Sequence, residues 1–411
     1  MNKKHSKRDD CRLCHSKAVK EVLRMPKSPP TEKFRLPSEK PYEKFPMDLY
    51  QCLNCGHIQL LDVVDPDLLF GGYIYESSIS PDLDNHFSEY VAEVLEYLNS
   101  YNLVTNSILD IGSNDGLLLD KFRRFGITSY GIDPAKEVNE KSRNKGHIVL
   151  DGYLSEVYVD FVKKYGQVNL ITANNVFSHM DNMRETFECI PKMLTDNGLL
   201  VFEVSYVLDT IKNKVIDYIY HEHLAYHGVK PLKNFLSSIG LKMLRVENID
   251  TKGGSIRVYA SKENAAFEIE TENIETFLSR EKSLYQDVGS EISFAANYFK
   301  KELSKAKRVL RQKNTDKEKT AIFGACATVN VMIEMGELAE DIDFIIDNSP
   351  TRIGRLHPSY DIPIISVEEA ESKNIKNCLI GAWRHRKVIE KNNYLFFRNV
   401  KIVSAFEENW A

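Results

Sequence analysis

No stretch of this chain approaches the run of about 18 apolar residues that a membrane-spanning helix needs, so no spanning helix is expected. A large excess of positive charge is also missing. Lys and Arg total 54 against 59 Asp and Glu, a net charge of −5, which excludes a chain that is basic throughout and built to coat nucleic acid. The basic stretch 1–10 has no apolar region behind it, so no secretory signal is expected there. Cysteine is sparse, with seven residues in 411. Four of them form two Cys-x-x-Cys pairs and three are scattered, unlike a secreted disulfide framework, so a reducing cytoplasm is the expected compartment. Low-complexity segments are absent, and with 43% hydrophobic residues, 20 Phe and 20 Tyr a disordered chain is excluded. Neither a G-x-G-x-x-G pyrophosphate motif nor a P-loop G-x-x-x-x-G-K occurs where an α/β pocket would carry one.

What is present divides along the chain, and at roughly 150 residues per domain the length allows two to three domains. Residues 1–66 hold both Cys pairs around a middle rich in Pro, Lys and Glu. The segment 69–80, with its aromatic string around Tyr75, reads as a connecting loop. Leu83, Phe87, Tyr90, Val91, Val94, Leu95 and Leu98 recur at helical spacing and predict a helix over 82–100. From 107 to about 260, short apolar runs alternate with amphipathic stretches. Strands are expected at 107–112, 128–134, 147–152, 168–175 and 198–206, with helices between them. That is a βαβ progression, which predicts an α/β domain with a parallel sheet covered on both faces. The runs 241–250 and 255–262 look like a closing antiparallel pair. Residues 275–312 form a charged helical pattern without proline, read as one connecting helix, and a second α/β pattern follows. The predicted units are 1–66, 67–274, 275–312 and 313–411.

Cys11-Arg-Leu-Cys14 and Cys52-Leu-Asn-Cys55 are separated by 37 residues. Each Cys-x-x-Cys turn brings two sulfurs close enough for one tetrahedral ion, and thiolates at about 2.3 Å suit Zn²⁺. Four sulfurs leave no open coordination position, so the expected site is structural. His15 and His57 stand beside the pairs as substitute ligands.

A second pattern is Asp110-Ile-Gly112-Ser-Asn114-Asp-Gly116, after an apolar strand and before a helix. The glycines let the backbone approach a ligand closely. Asp133 ends the next strand, 21 residues after Gly112, where a carboxylate can accept hydrogen bonds from a ribose diol. This pattern resembles motif I of class I S-adenosylmethionine (SAM) methyltransferases, with Asp133 as their second acidic motif. The candidate cofactor residues are therefore Asp110, Gly112, Asn114, Gly116, Asp133 and, past a later strand, Asn174. Asn174-Asn-Val-Phe-Ser-His179 lies where open α/β sheets place ligands. Tyr218-Ile-Tyr220-His221-Glu222-His223-Leu-Ala-Tyr226 clusters three ionisable groups among tyrosines. Read as alternating, it puts Tyr220 and Glu222 on one side and His221 and His223 on the other. A His beside a carboxylate is a candidate base near neutral pH. His-Glu-His is not H-E-x-x-H, so a zinc protease is rejected.

Taken together these residues resemble the sugar C-methyltransferases that act on nucleotide-linked 4-keto-deoxysugars. The marks are CRLC and CLNC, GYIYESSIS, LDIGSNDG, NNVFSH, YHEHLAY, KGGSIR, and FGACA, IDNSP and GR in that order, over nearly the whole chain. The resemblance implies a small N-terminal zinc-binding module, a central class I methyltransferase domain with a Rossmann-like fold, and a C-terminal Rossmann-like α/β domain that helps hold the substrate's nucleotide. It also implies a structural four-Cys zinc, SAM around Gly112 and Asp133, and a catalytic group of Tyr75, His179, Tyr220, Glu222 and His223. Two positions depart from the family. Lys252 stands where a His often precedes Gly-Gly, and the turn usually rich in Gly, Ala and Pro reads Gly324-Ala-Cys326-Ala-Thr328.

The chemistry this implies is an argument about acidity. A hydrogen on the carbon beside a ketone is acidic because its carbanion delocalises into an enolate. His223 is the expected base, Glu222 orients an imidazole or the substrate, Tyr220 and His179 donate to the enolate oxygen, and Tyr75 closes over the sugar. The expected partner is a small nucleotide sugar, with no nucleic acid, membrane or obligate protein partner. Competing readings are an O- or N-methyltransferase of a small molecule, a zinc-ribbon RNA methyltransferase, and a binding protein with a decayed site.

Overall fold

The computed structural model describes residues 4–70, 77–79, 81–251, 253–312 and 317–406. Tyr75 and Lys252 lie outside them. The N-terminal unit contributes β1 (His5–Lys7), β2 (Val19–Leu23), β3 (Leu49–Cys52), β4 (Ile58–Leu60) and β5 (Asp62–Val64). β1 pairs antiparallel with β5, and β2, β3 and β4 form a meander.

The helix Pro81–Ser100 then leads into β6 (Ser107–Ile111), β7 (Thr128–Asp133), β8 (Ile148–Asp151), β9 (Val168–Asn174) and β10 (Leu194–Ser205). Asp82 and Asp84 in its first turn suit the positive end of the helix dipole. β11 (Ala225–Tyr226) leaves this domain and pairs antiparallel with β4, so the N-terminal sheet runs β11-β4-β3-β2. β12 (Leu241–Ile249) and β13 (Ser255–Lys262) complete a seven-stranded sheet ordered β12-β13-β10-β9-β6-β7-β8, in which β13 is antiparallel to both its neighbours. The expected parallel sheet and its antiparallel closing pair are both present. Strand order reverses between β6 and β9, which opens a crevice at their carboxyl ends. Phe87, Tyr90, Val91 and Val94 of the helix Pro81–Ser100 pack with Ile108, Leu170 and Val201 on one face of the sheet.

The single helix expected over 275–312 is two, Thr271–Glu281 and Val288–Leu310. The second starts afresh because the Asp287 side chain accepts from Ser290 N at 3.2 Å, an N-cap. It packs against β2 and the last domain, and its Ile292, Phe299 and Leu303 belong to one core that runs through all three units. That last domain is a parallel sheet of β14 (Lys319–Phe323), β15 (Phe344–Ile346), β16 (Ile364–Ile365), β17 (Ile375–Ile380) and β18 (Lys401–Val403), ordered β16-β15-β14-β17-β18. Among the described residues no helix is long and apolar enough to cross a membrane.

Candidate active site

The two Cys-x-x-Cys turns are built alike. His15 N donates to Cys11 O and Gly56 N to Cys52 O, both at 2.9 Å, with positive φ at His15 and Gly56. The four Sγ atoms lie within 4.8 Å of one another. Cys11–Cys55 and Cys14–Cys52 are each 3.6 Å apart, close to the roughly 3.8 Å edge of a tetrahedron with Zn–S near 2.3 Å. The donor set fits a closed structural zinc ion. His15 is not drawn in, since its Nδ1 sits 2.9 Å from Asp10. Among the described residues only the four cysteines form such a cluster, so His57 is not a substitute ligand.

At the crevice between β6 and β9, Asp110 and Thr172 are opposite each other in register, and Thr172 Oγ1 donates to Asp110 Oδ1 at 2.7 Å. Burial pushes the Asp110 carboxyl up to about 7 despite that bond. Gly112 turns the chain at φ +72°, and a Cβ there would lie 2.4 Å from Val176 Cγ2. A Cβ at Gly116 would lie 2.4 Å from Ser142 Oγ. Both glycines are thus required by the protein's own packing, and not by ligand approach alone as the sequence suggested. Asn174 closes the other side of the cleft, which Phe87 and Ser77 also line. Both polar atoms of its amide are buried without a partner among the described residues. An unpaired buried amide is costly, so this one fits a cofactor seated against it. Asp133 differs from the simple diol clamp. Its Oδ2 accepts from Asn114 N at 3.1 Å and its Oδ1 from Ala135 N at 2.8 Å. Each oxygen therefore keeps one lone pair for a further donor. Burial raises this carboxyl, and the two backbone bonds oppose the rise. The connecting segment docks here, with Ser77 N on Asn114 Oδ1 at 2.9 Å and Ser78 N on Asp115 Oδ2 at 3.3 Å.

The alternation read into 218–226 is incorrect. His223 N donates to Tyr220 O at 2.9 Å, closing a tight turn. That turn folds His223 back onto Tyr220, with Tyr220 Oη and His223 Nε2 3.1 Å apart. His223 Nδ1 lies 2.9 Å from Tyr218 O. A carbonyl can only accept, so Nδ1 carries the proton and Nε2 is the lone-pair nitrogen facing the phenol. The imidazole is oriented by a backbone carbonyl, not by Glu222. His221 goes the other way, fully buried with Nε2 3.2 Å from Phe45 O, and burial holds its pKa down to about 4. His179 joins the group, its ring centroid 5.0 Å from that of His223. The backbone makes this meeting, because Leu224 N donates to Ser178 O at 2.7 Å. Burial keeps the Tyr220 phenol well above its usual pKa, so it remains a donor.

Glu222 turns toward the N-terminal unit. Thr31 Oγ1 lies 3.0 Å from both of its carboxylate oxygens. Nothing in the sequence marked Thr31, which stands 191 residues from Glu222. Tyr75, expected to close over this group, falls outside the described residues.

Three family descriptions match the chain in succession: a zinc binding domain over 11–70, a methyltransferase domain over 83–246 and a C-methyltransferase C-terminal domain over 250–406. The chain is 27% identical over 359 residues to the C-methyltransferase NovU of Streptomyces niveus, covering 86% of this chain and 84% of that protein. Among solved structures, a SAM-dependent methyltransferase from Clostridium acetobutylicum overlaps 48% of this chain and 96% of its own, at 12% identity and a TM-score of 0.36. The plantazolicin methyltransferase BpumL overlaps 48% of this chain and 91% of its own, at 15% identity and a TM-score of 0.38.

Proposed function

The chain is a SAM-dependent C-methyltransferase with an N-terminal zinc-binding domain, and from that premise we propose that its acceptor is the carbon beside the ketone of a nucleotide-linked 4-keto-deoxysugar, at C3. The observation that carries this reading is the Tyr220–His223 pair. It combines a base whose proton sits on the far nitrogen with a phenol kept protonated by burial. An O- or N-methyl acceptor would need no such donor beside the base.

His223 Nε2 takes the proton from the carbon next to the ketone. The Nδ1–H bond to Tyr218 O holds the ring in the tautomer this requires. As the negative charge moves to the ketone oxygen, Tyr220 Oη leaves Nε2 and donates there, with His179 as the second donor. Bound SAM would supply an electrophilic sulfonium methyl to the carbanion, its methyl–sulfur bond breaking as the C–C bond forms and S-adenosylhomocysteine being the leaving group. Tyr75 closes over the sugar. Asp110, Gly112, Asn114, Gly116, Asp133 and Asn174 hold the cofactor. Residues 313–411 grip the nucleotide, and the cytoplasm is the place of action.

The test needs no methyl transfer. The enzyme is incubated with a 4-keto-sugar nucleotide in heavy water, with S-adenosylhomocysteine present, and deuterium entry beside the ketone is followed. Wild type exchanges. His223→Asn loses exchange by about 10²–10⁴-fold, and Tyr220→Phe slows it. No exchange in wild type with the sugar bound would overturn the enolate reading.

A further inference from the structure

We propose that Thr31, in the N-terminal unit, is a positioning residue for Glu222, its hydroxyl fixing the carboxylate of the catalytic turn. This rests on the reading of 220–223 given above. Thr31 is fully buried and Glu222 nearly so, and the hydroxyl spans both carboxylate oxygens at 3.0 Å. Such a contact immobilises the carboxylate plane rather than one oxygen.

Thr31 is itself held rigidly. Its carbonyl accepts from Asn330 Nδ2, a buried side chain on the helix Ala327–Gly336. Lys33 N donates to Pro30 O at 3.3 Å, closing a turn around it. The next residue, Glu32, accepts from Ala327 N at 2.9 Å and from Arg352 Nη2 at 3.1 Å. A short segment of the N-terminal unit is therefore clamped by the C-terminal domain on one side and grips the catalytic turn on the other.

The chemical consequence concerns charge. Burial pushes the Glu222 carboxyl up to about 7, and the Thr31 hydrogen bond pulls against that rise. Glu32 adds to the rise and Lys33 opposes it, while the Tyr220 and Tyr226 phenols feel the charge of Glu222. A hydrogen bond to the ionised form favours ionisation. Removing the hydroxyl should shift Glu222 toward its neutral form at the pH where the enzyme works.

Full-length protein is labelled with [5-¹³C]glutamate, and the carboxyl signal missing in Glu222→Gln identifies Glu222. In Thr31→Val its titration should move up by about one pH unit, since a hydrogen bond to a charged group is lost. Thr31→Ser should titrate as wild type does, and Thr31→Cys, a weak donor of similar shape, should fall between. SAM affinity by calorimetry should be unchanged in all three. The acidic limb of kcat/KM for methylation should follow the same order. An unmoved signal in Thr31→Val, or in Thr31→Cys if the valine variant does not fold, would overturn the proposal. So would a moved signal with an unmoved limb. If wild type methylates no 4-keto-sugar nucleotide, the proposed function fails, while the carboxyl titration still decides for or against Thr31.

Discussion

At the scale of single residues, the site is decided by which atoms are left for a ligand once the protein has satisfied itself. Asp133 keeps one lone pair on each oxygen after accepting from Asn114 N and Ala135 N. Asp133→Ala should weaken SAM by roughly 1.5–3 kcal/mol if the ribose bonds are charge-assisted, read by calorimetry, with part of the loss arising in the loosened 112–116 turn. Glu222 gives a pH-dependent prediction. Its folded pKa of about 7 lies above the usual 4.5 of a glutamate. Between those values the folded state holds more protons than the unfolded one, so burial of Glu222 costs nothing below about 4.5 and progressively more up to about 7. Glu222→Gln removes that cost. Its Tm relative to wild type should rise across this window and level off above it, and a difference independent of pH would refute the shift. The residue types at 220–223 were legible in the sequence. So was His223 as the candidate base, but its Tyr218 O partner was not, because a turn and not a strand carries these residues.

At the scale of elements, the decisive feature is the two-residue strand β11. It gives the N-terminal sheet its fourth strand and immediately follows the Tyr220–His223 turn. Cys52 ends β3, which lies beyond β4 in the same sheet. Zinc held by Cys11, Cys14, Cys52 and Cys55 therefore braces the Tyr220–His223 turn through the sheet. One zinc per chain is expected by elemental analysis. Removing it with a chelator, or changing Cys52→Ser, should depress methylation and deuterium exchange while leaving SAM affinity close to wild type. Equal loss of SAM binding would mean that the metal supports the whole fold rather than this edge. The break between Thr271–Glu281 and Val288–Leu310 belongs to the same scale. Helical periodicity runs through it, and only the Asp287 cap reveals where the second helix starts.

At the scale of the molecule, the segment just before the Tyr220–His223 turn ties the central domain to the C-terminal one. Asp217, fully buried, accepts from Trp383 Nε1 at 2.9 Å and from Arg384 Nη2 at 2.7 Å, just past the end of β17. The Arg384 guanidinium also lies 4.3 Å from the Tyr218 ring centroid. Asp217→Ala leaves a largely buried arginine short of its partner, a loss of about 3–5 kcal/mol. It should lower Tm and raise KM for the nucleotide sugar, with SAM affinity little changed. Parallel losses of both ligands would argue against a separate hold on the sugar.

The succession of strands and helices in the central domain, the four zinc sulfurs and the glycine turn before the candidate cofactor cleft were determined by sequence alone. Each depends on periodicity or on spacings of a few residues, and local backbone geometry converts those directly into structure. Tertiary structure alone decided that His221 is a buried core residue, that β11 belongs to the N-terminal sheet, and that Thr31 holds Glu222. Those contacts join residues far apart in the chain. Their partners are chosen by how buried donors and acceptors find one another when three units pack around one core, and no local pattern in the sequence encodes that choice.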